Sequence, residues 1–101
     1  MTESISKQVE QLMLSKDFNK ALDLCNQNSN DLSKKQYLYL TSVCYRYLEK
    51  YDKALSYLSH LIELDPTYGR AFQEFGHIHM KLNDKNKAIK GYIRAVRHNP
   101  S

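Results

Sequence analysis

The chain has 101 residues, of which 42% are hydrophobic and 26% charged, so its composition is that of one ordinary soluble domain and not of a disordered segment. It carries 15 Lys and Arg against 11 Asp and Glu; it has no apolar run near the roughly 18 residues of a transmembrane helix and no secretory signal at its start. Only three Gly and two Pro occur, too few turn residues for a sandwich or barrel of short strands, so helices and a cytoplasmic location are expected.

The first third of the chain, about residues 2–34, has the weakest pattern. Its apolar residues still keep the size and spacing seen more clearly in the two units that follow, at Ile5, Val9, Leu12, Ala21 and Cys25. Asn28 and Ser33 depart from that pattern at the end of the unit. We predict a degenerate pair of helices here.

The second third, about residues 35–68, predicts two helices. The first has a face of residues at three- and four-residue steps, namely Leu38, Thr41, Ser42, Tyr45 and Leu48. Ser33 and Gln36 fit a capping box that would start it, and the pattern breaks at Glu49 and Lys50. The second face runs from there to Pro66, which ends the helix because the residue before Pro is pushed out of the helical region.

The last third, about residues 69–101, repeats this arrangement. One helical face contains Phe72, Phe75, Gly76, His79 and Leu82, and after a break at Asn83 and Asp84 a second contains Ala88, Ile89, Tyr92, Ala95 and Val96. Pro100 closes the unit. Alternation of period two, the mark of a strand, never persists in the chain.

The last two units share a period of 34 residues. Pro66 and Pro100 are 34 apart, as are Ala54 and Ala88, and small residues also match small residues in this register. Ser42 and its counterpart in the last unit are predicted to lie where the two helices of a unit cross, because a larger side chain would push the helices beyond the normal spacing of about 8–10 Å.

The repeating unit resembles the tetratricopeptide repeat. The resemblance is carried by a small residue, an aromatic position, an Ala and a closing Pro, which are Ser42, Tyr45, Ala54 and Pro66 in one unit and Gly76, His79, Ala88 and Pro100 in the next. It implies an all-α, right-handed α-solenoid of three helix-turn-helix repeats, six helices in all. Residues 1–101 would form one such domain, with repeats at about 2–34, 35–68 and 69–101.

The resemblance further implies a function in binding other proteins. The first helices of the units would line a concave groove that holds a peptide segment or a helix of a partner. The positions that face this groove in the family lie between the predicted core positions, and Glu10 and Met13 are among those of the first unit. The eight predicted to form the partner-binding groove come from the second and third units, at Tyr39, Val43, Arg46, Tyr47, Arg70, Gln73, His77 and Met80. Because Arg pairs with carboxylates and Tyr offers a flat contact with a polar end, an acidic or aromatic peptide is the favoured partner.

No catalytic, cofactor or metal site is predicted. His77 and His79 are two residues apart, hence about 200° apart around a helix, and do not share a ligand face; His79 is expected in the core. Cys25 and Cys44 form no Cys-x-x-Cys motif and are expected to be buried, reduced thiols. No glycine-rich phosphate loop or nucleophile elbow occurs.

The positive charge is concentrated near the end of the sequence. Residues 81–101 contain six basic side chains and one acidic one, net +5. Four of them form one stripe on a predicted helix, at Lys87, Lys90, Arg94 and Arg97. A solvated face is the favoured interpretation and an anionic partner the second, with nucleic acid third because no aromatic residue is interleaved with the stripe.

An alternative function is an accessory region of a larger enzyme. The sequence from Arg70 to His77 is similar to repeats that precede sulfotransferase domains in some bacterial proteins, although the shared residues are mostly repeat scaffold. Whether the natural chain continues past Ser101 would decide between the two functions.

The last helix is expected to leave an apolar strip exposed. Each unit of a solenoid buries its neighbour's apolar side, so a terminal unit needs a cap. The strip consists of Ile89, Tyr92, Ile93 and Val96. Its exposure predicts either that the chain was cut from a longer protein, which we favour, or that two copies cover each other as a homo-oligomer.

Overall fold

A computed structural model describes residues 4–98 of the chain as six α-helices and one short 3-10 turn. No strand occurs between residues 4 and 98. The helices, in chain order, are α1 Ile5–Leu14, α2 Phe18–Gln27, α3 Lys34–Tyr47, α4 Tyr51–Leu64, α5 Gly69–Lys81 and α6 Lys85–His98, with the 3-10 turn at Ser29–Asp31 between α2 and α3.

Consecutive helices pack against each other, so that the molecule is an elongated stack. The pairs α1 and α2, α3 and α4, and α5 and α6 form three helix-turn-helix units, and α2 with α3 and α4 with α5 join them. The overall extents are 44 × 25 × 23 Å. The predicted all-α helical solenoid is thereby confirmed.

The ends of α3 and α4 lie where the sequence predicts them. The Ser33 hydroxyl accepts from the Gln36 backbone N–H at 3.0 Å, and the Gln36 side chain accepts from the Ser33 N–H at 3.0 Å, which is the predicted capping box. At the other end of the unit, α4 stops at Leu64, two residues before Pro66.

In every unit, one residue in the turn after the first helix has the left-handed backbone conformation. Lys16, Glu49 and Asn83 have φ angles of 62°, 61° and 60°. After α3, the Glu49 N–H bonds to the Arg46 carbonyl at 2.9 Å and the Lys50 N–H to the Tyr45 carbonyl at 2.9 Å, the pattern of a Schellman motif. Glycine is the usual residue at this position, and none of the three is glycine.

Replacing Glu49 by Gly should therefore stabilise the protein. A left-handed conformation costs a non-glycine residue about 1–2 kcal/mol, and part of this is offset by the greater freedom of Gly in the unfolded chain. We expect Glu49→Gly to raise the free energy of unfolding in urea by about 0.5–1 kcal/mol. Glu63→Gly, at an exposed position in the last turn of α4, should lower it by about 0.5 kcal/mol. If both substitutions lowered it equally, the left-handed cap would be irrelevant to stability.

Small residues lie at the crossings of the helix pairs, as predicted. Ala54 and Ala88 are fully buried, and a Cβ added to Gly76 would come within 2.6 Å of the Tyr92 ring. Gly91 is a further close approach that the sequence analysis missed. A Cβ there would lie 3.0 Å from the backbone carbonyl oxygen of Phe72, as well as 3.0 Å from the Gly76 nitrogen, so α6 lies directly on the α5 backbone.

The core consists of two apolar clusters, one between the first and second units and one between the second and third. Cys25 and Cys44 both belong to the first cluster and are fully buried free thiols. Burial raises the pKa of Cys25 to about 11 and that of Cys44 to about 12. Both thiols therefore keep their protons at neutral pH and are poor nucleophiles.

Candidate functional site

A cavity of about 390 Å³ opens on the side of the stack formed by α1, α3 and α5, and the start of α2 closes one end of it. We call it the groove cavity. Its lining residues are Glu10, Met13, Leu14, Phe18, Tyr39, Val43, Arg46, Tyr47 and Glu74. It spans all three helical units, so its shape depends on how the units stack.

Aromatic and aliphatic side chains form one end of the groove cavity. The rings of Phe18 and Tyr47 stack in parallel, with centroids 4.5 Å apart and an angle of 4° between their planes. Tyr47 is 52% exposed, and Leu14, which lines the same cavity, is 84% exposed. Apolar surface that is exposed inside a concavity is the usual mark of a binding site.

An ion pair between α3 and α5 also lines the groove cavity, and its Arg46 guanidinium lies 4.3 Å from the centroid of the Tyr47 ring. Arg46 donates from Nε to Glu74 Oε2 at 2.6 Å and from Nη2 to Oε1 at 3.0 Å, a two-pronged contact. The two side chains are only 14% and 6% exposed. Burial is the largest single influence on the pKa of Arg46 and lowers it, but the hydrogen bonds to Glu74, the charge of Glu74 and smaller contributions from Tyr47 together outweigh burial, so the pKa is raised. The charge of Arg46 is therefore neutralised within the protein.

The remaining predicted groove residues extend along α5, outside the cavity. The Arg70 guanidinium lies 6.0 Å from the Tyr39 ring centroid, and Tyr39 also contacts Tyr68 edge-on at 5.8 Å. His77 Nδ1 is hydrogen-bonded to the Tyr92 hydroxyl at 2.8 Å, which ties α5 to α6. Gln73 and Met80 are exposed.

The structure therefore brings together four of the eight predicted groove residues: Tyr39, Val43, Arg46 and Tyr47 line one cavity. The sequence pattern predicts that all eight lie outside the packed core, and this is wrong for Val43, which is only 5% exposed. It is also wrong for Arg46, whose charge is paired with a carboxylate from the next unit. In both cases the stacking of units, and not the periodicity of one helix, decides the burial.

Three lining residues were missed by the sequence analysis as groove residues. Leu14 ends α1 as Tyr47 ends α3, and Phe18 begins α2 as Tyr51 begins α4. These equivalences place a large residue on each side of the turn. From this pattern in the sequence, Leu14 and Phe18 could have been predicted to lie together. Glu74 gave no such signal, because its partner lies 28 residues away.

His79 occupies a buried position, as the sequence predicted. It is 7% exposed, its ring lies 4.3 Å from that of Phe75, and its Nδ1 has no hydrogen-bond partner among the described residues. Burial lowers its pKa, and the nearby Lys87 lowers it further against an opposing effect of Asp84. The neutral ring is therefore the form that the fold accommodates.

Acidification should consequently destabilise the fold through His79. Its pKa in the folded state lies below the value of about 6.5 in the unfolded chain, so the unfolded state takes up the proton first. The stabilising contribution is complete above about pH 6.5 and is lost as the pH falls below it. We expect the fall in Tm between pH 7.5 and 5.5 to be smaller in His79→Phe than in the wild type. His60→Gln, at an exposed position, should leave the fall unchanged; an unaltered pH dependence in His79→Phe would contradict the assignment.

The predicted apolar strip on α6 is present with one correction. Ile89, Ile93 and Val96 are 54%, 53% and 64% exposed. Tyr92 does not belong to the strip, because its ring lies against Gly76 and its hydroxyl bonds to His77. It instead fills the space that the missing side chain of Gly76 leaves at the crossing.

The part of the chain from residue 4 to 98 contains no cluster of three His, Cys, Asp or Glu side chains placed to hold a metal ion. None of its helices is long and apolar enough to cross a bilayer. Within the stretch from Arg70 to His77, which suggested an enzyme accessory region, Phe72, Phe75 and Gly76 lie against α6 and Glu74 pairs with Arg46.

Two family models match the chain. One, described as tetratricopeptide repeat, matches residues 36–68, and a second with the same description matches residues 69–101. These bounds agree within one residue with the second and third predicted repeats. A comparison with curated proteins finds no match.

Proposed function

Because the chain belongs to the tetratricopeptide repeat family, we propose that it binds a segment of a partner protein in the groove cavity. Repeats of this family mediate contacts between proteins. The proposal adds the place of binding, and it rests on one observation, the exposed apolar surface of Leu14 and the stacked pair of Phe18 and Tyr47 inside a concavity. In this role the chain acts by holding its partner and carries out no reaction itself.

The charges of the groove cavity indicate what kind of segment it holds. Arg46 and Glu74 cancel each other, which leaves the Glu10 carboxylate as the other charged group in the lining. The acidic partner suggested by the sequence thus gains no support at this end, and Arg70 is the cation that remains beside Tyr39. A segment with an apolar or aromatic anchor, neutral or basic where it meets Glu10, fits the groove cavity best.

The test is a selection of binding peptides followed by point variants. Peptides displayed on phage are selected on the wild-type chain, and the affinity of the selected peptides is measured for Leu14→Ser and Tyr47→Ala. Loss of a buried aromatic or aliphatic contact at the centre of an interface should weaken binding by about tenfold or more. Because Leu14 is 84% exposed, its replacement should leave helix content and Tm unchanged.

Leu82→Ser is the matched control. Leu82 is also a substantially exposed Leu, at 43%, but it lies in the turn after α5 and does not line the groove cavity. Its replacement should not alter peptide affinity. Selected peptides that bind Leu14→Ser and Tyr47→Ala as tightly as the wild type would remove the groove cavity from consideration.

Self-association through α6 stays a prediction. It now rests on three exposed residues, Ile89, Ile93 and Val96, and no longer on Tyr92. Two copies joined in this way would present two groove cavities, so a partner with two binding segments would bind more tightly than one segment alone.

A further inference from the structure

A second apolar cleft lies between α4, α5 and α6 and shares no lining residue with the groove cavity. Its volume is about 620 Å³, within the range of clefts that accept small ligands or a few side chains. We call it the α4–α6 cleft. Its apolar wall consists of Ile62, Phe72, Phe75, Gly91 and Ile93, and its charged lining of Lys87, Lys90 and Arg94.

The charged lining is cationic and only weakly compensated. Lys87 lies 4.0 Å from Asp84 in a largely exposed pair, which is a weak interaction. Within residues 4–98, neither Lys90 nor Arg94 has a carboxylate partner. An anionic ligand would therefore meet two cations that the fold leaves unpaired.

Arg94 is held in a position that suits a carboxylate. Its guanidinium lies 4.2 Å from the centroid of the Phe72 ring, and Phe72 is only 3% exposed, so the ring is a fixed support. Stacking on a ring engages the face of the guanidinium and leaves its N–H groups, which lie in the plane, free to donate. Such a group can accept a carboxylate with little further loss of side-chain freedom.

The spacing of the cations distinguishes between kinds of anion. Lys87, Lys90 and Arg94 follow one another at three- and four-residue steps on α6 and so extend over about 10 Å of one helix face. A molecule with a single anionic head would meet one end of this row. A peptide with several carboxylates would meet all of it, while its apolar side chains enter the cleft behind the row.

We propose that the α4–α6 cleft binds an acidic segment of a partner protein. An apolar side chain of that segment inserts between Ile62, Phe75 and Ile93, and its carboxylates pair with Lys90 and Arg94. This site is additional to the groove cavity and lies on different helices, so the chain can hold two segments of unlike charge at once. The basic stripe thereby acquires as its function the binding of an anionic partner, the interpretation that its sequence ranked second to a solvated face.

The proposal is tested with a synthetic probe, a fluorescein-labelled peptide in which glutamates flank a central Trp-Leu pair. Fluorescence anisotropy gives its affinity for the full chain at low and at raised salt. Lys90→Glu/Arg94→Glu should weaken binding by at least about tenfold, because two charge-assisted contacts become repulsive. Lys7→Glu/Lys20→Glu changes the net charge equally on α1 and α2 and should weaken it by less than about twofold, since these residues lie outside the cleft.

The apolar half of the proposal has its own variant. Ile93→Ser, at a half-exposed position, should weaken binding of the intact probe by about fivefold or more without lowering Tm. A second probe, with Ser in place of Trp-Leu, should bind the wild-type chain at least as weakly as the intact probe binds Ile93→Ser. The groove variant Leu14→Ser should bind the intact probe as the wild type does. This last result keeps the outcome independent of the proposed function.

Several results would overturn the proposal. They are no binding of the intact probe, equal losses in the two charge reversals, or full binding of the Ser probe. Tighter binding of laurate or of a single-stranded oligonucleotide at the same residues would assign the cleft to a different anion. A dimer in sedimentation that Ile93→Ser abolishes and the probe does not dissociate would assign it to a second copy of the chain.

Discussion

Glu74→Ala should be among the most destabilising single substitutions in this chain, lowering the free energy of unfolding by about 3–5 kcal/mol. The substitution removes both hydrogen bonds of the Arg46 guanidinium and leaves its charge unpaired at a site where the side chain is 14% exposed. Chemical denaturation of the two proteins, monitored by circular dichroism, measures the difference. The loss should appear without any change in the slope of the transition, since both proteins expose the same surface on unfolding.

The double variant Arg46→Met/Glu74→Leu distinguishes the effect of losing the hydrogen bonds from the effect of leaving one charge unpaired. Replacing both members of a buried ion pair by apolar side chains of similar size is often neutral or stabilising. We expect it to recover most of the stability that Glu74→Ala loses. A double variant as unstable as Glu74→Ala would show that the hydrogen bonds themselves, and not the uncompensated charge, hold α3 to α5.

Gly91→Leu should have the second largest effect, a loss of about 3 kcal/mol, the upper end of what overpacking usually costs. The added side chain would begin at a Cβ only 2.9 Å from the Phe75 ring and 3.0 Å from the backbone of α5. A side chain can rotate away, but the backbone atoms of Phe72 and Gly76 cannot move without shifting the helix. The whole of α6 would therefore have to move outward, and thermal unfolding should show a much lower Tm.

Asn86→Leu is the control for that experiment. It places the same side chain on α6 at an exposed position, where substitutions usually change stability by no more than about 0.5 kcal/mol. Equal stability of the Gly91 and Asn86 variants would mean that α6 does not lie directly on the α5 backbone.

Features that depend on neighbouring residues in the sequence could be predicted without the structure. The capping box at Ser33, the stop before Pro66 and the breaks near Glu49 and Asn83 all follow from local chemistry, and the helical faces follow from periodicity. The small residues at the crossings were also predictable, because the repeat places Ala54 and Ala88 in register. These features suffice to specify the three helix pairs.

Features that depend on how one unit meets the next could not be predicted in the same way. The contact of Arg46 with Glu74 joins two helices of different units, and nothing in either helix alone distinguishes it from a solvated charge. Val43 is buried for the same reason, since its neighbours come from other helices. Gly91 did carry a signal that went unused: its counterparts one and two units earlier are Tyr57 and Leu24, so a glycine there breaks the repeat.

The crossings of the helix pairs have a consequence for which sequences the fold tolerates. The residue that the first helix buries at the crossing is Val9 in the first unit, Ser42 in the second and Gly76 in the third. Its counterpart on the second helix becomes larger in the same order, at Cys25, Leu58 and Tyr92. Each crossing therefore keeps a roughly constant total volume that is divided differently between two helices. The packing limits the sum of the two volumes, so we expect the two positions to co-vary among homologous chains, and a change at one should be accepted once its counterpart has changed in the opposite sense.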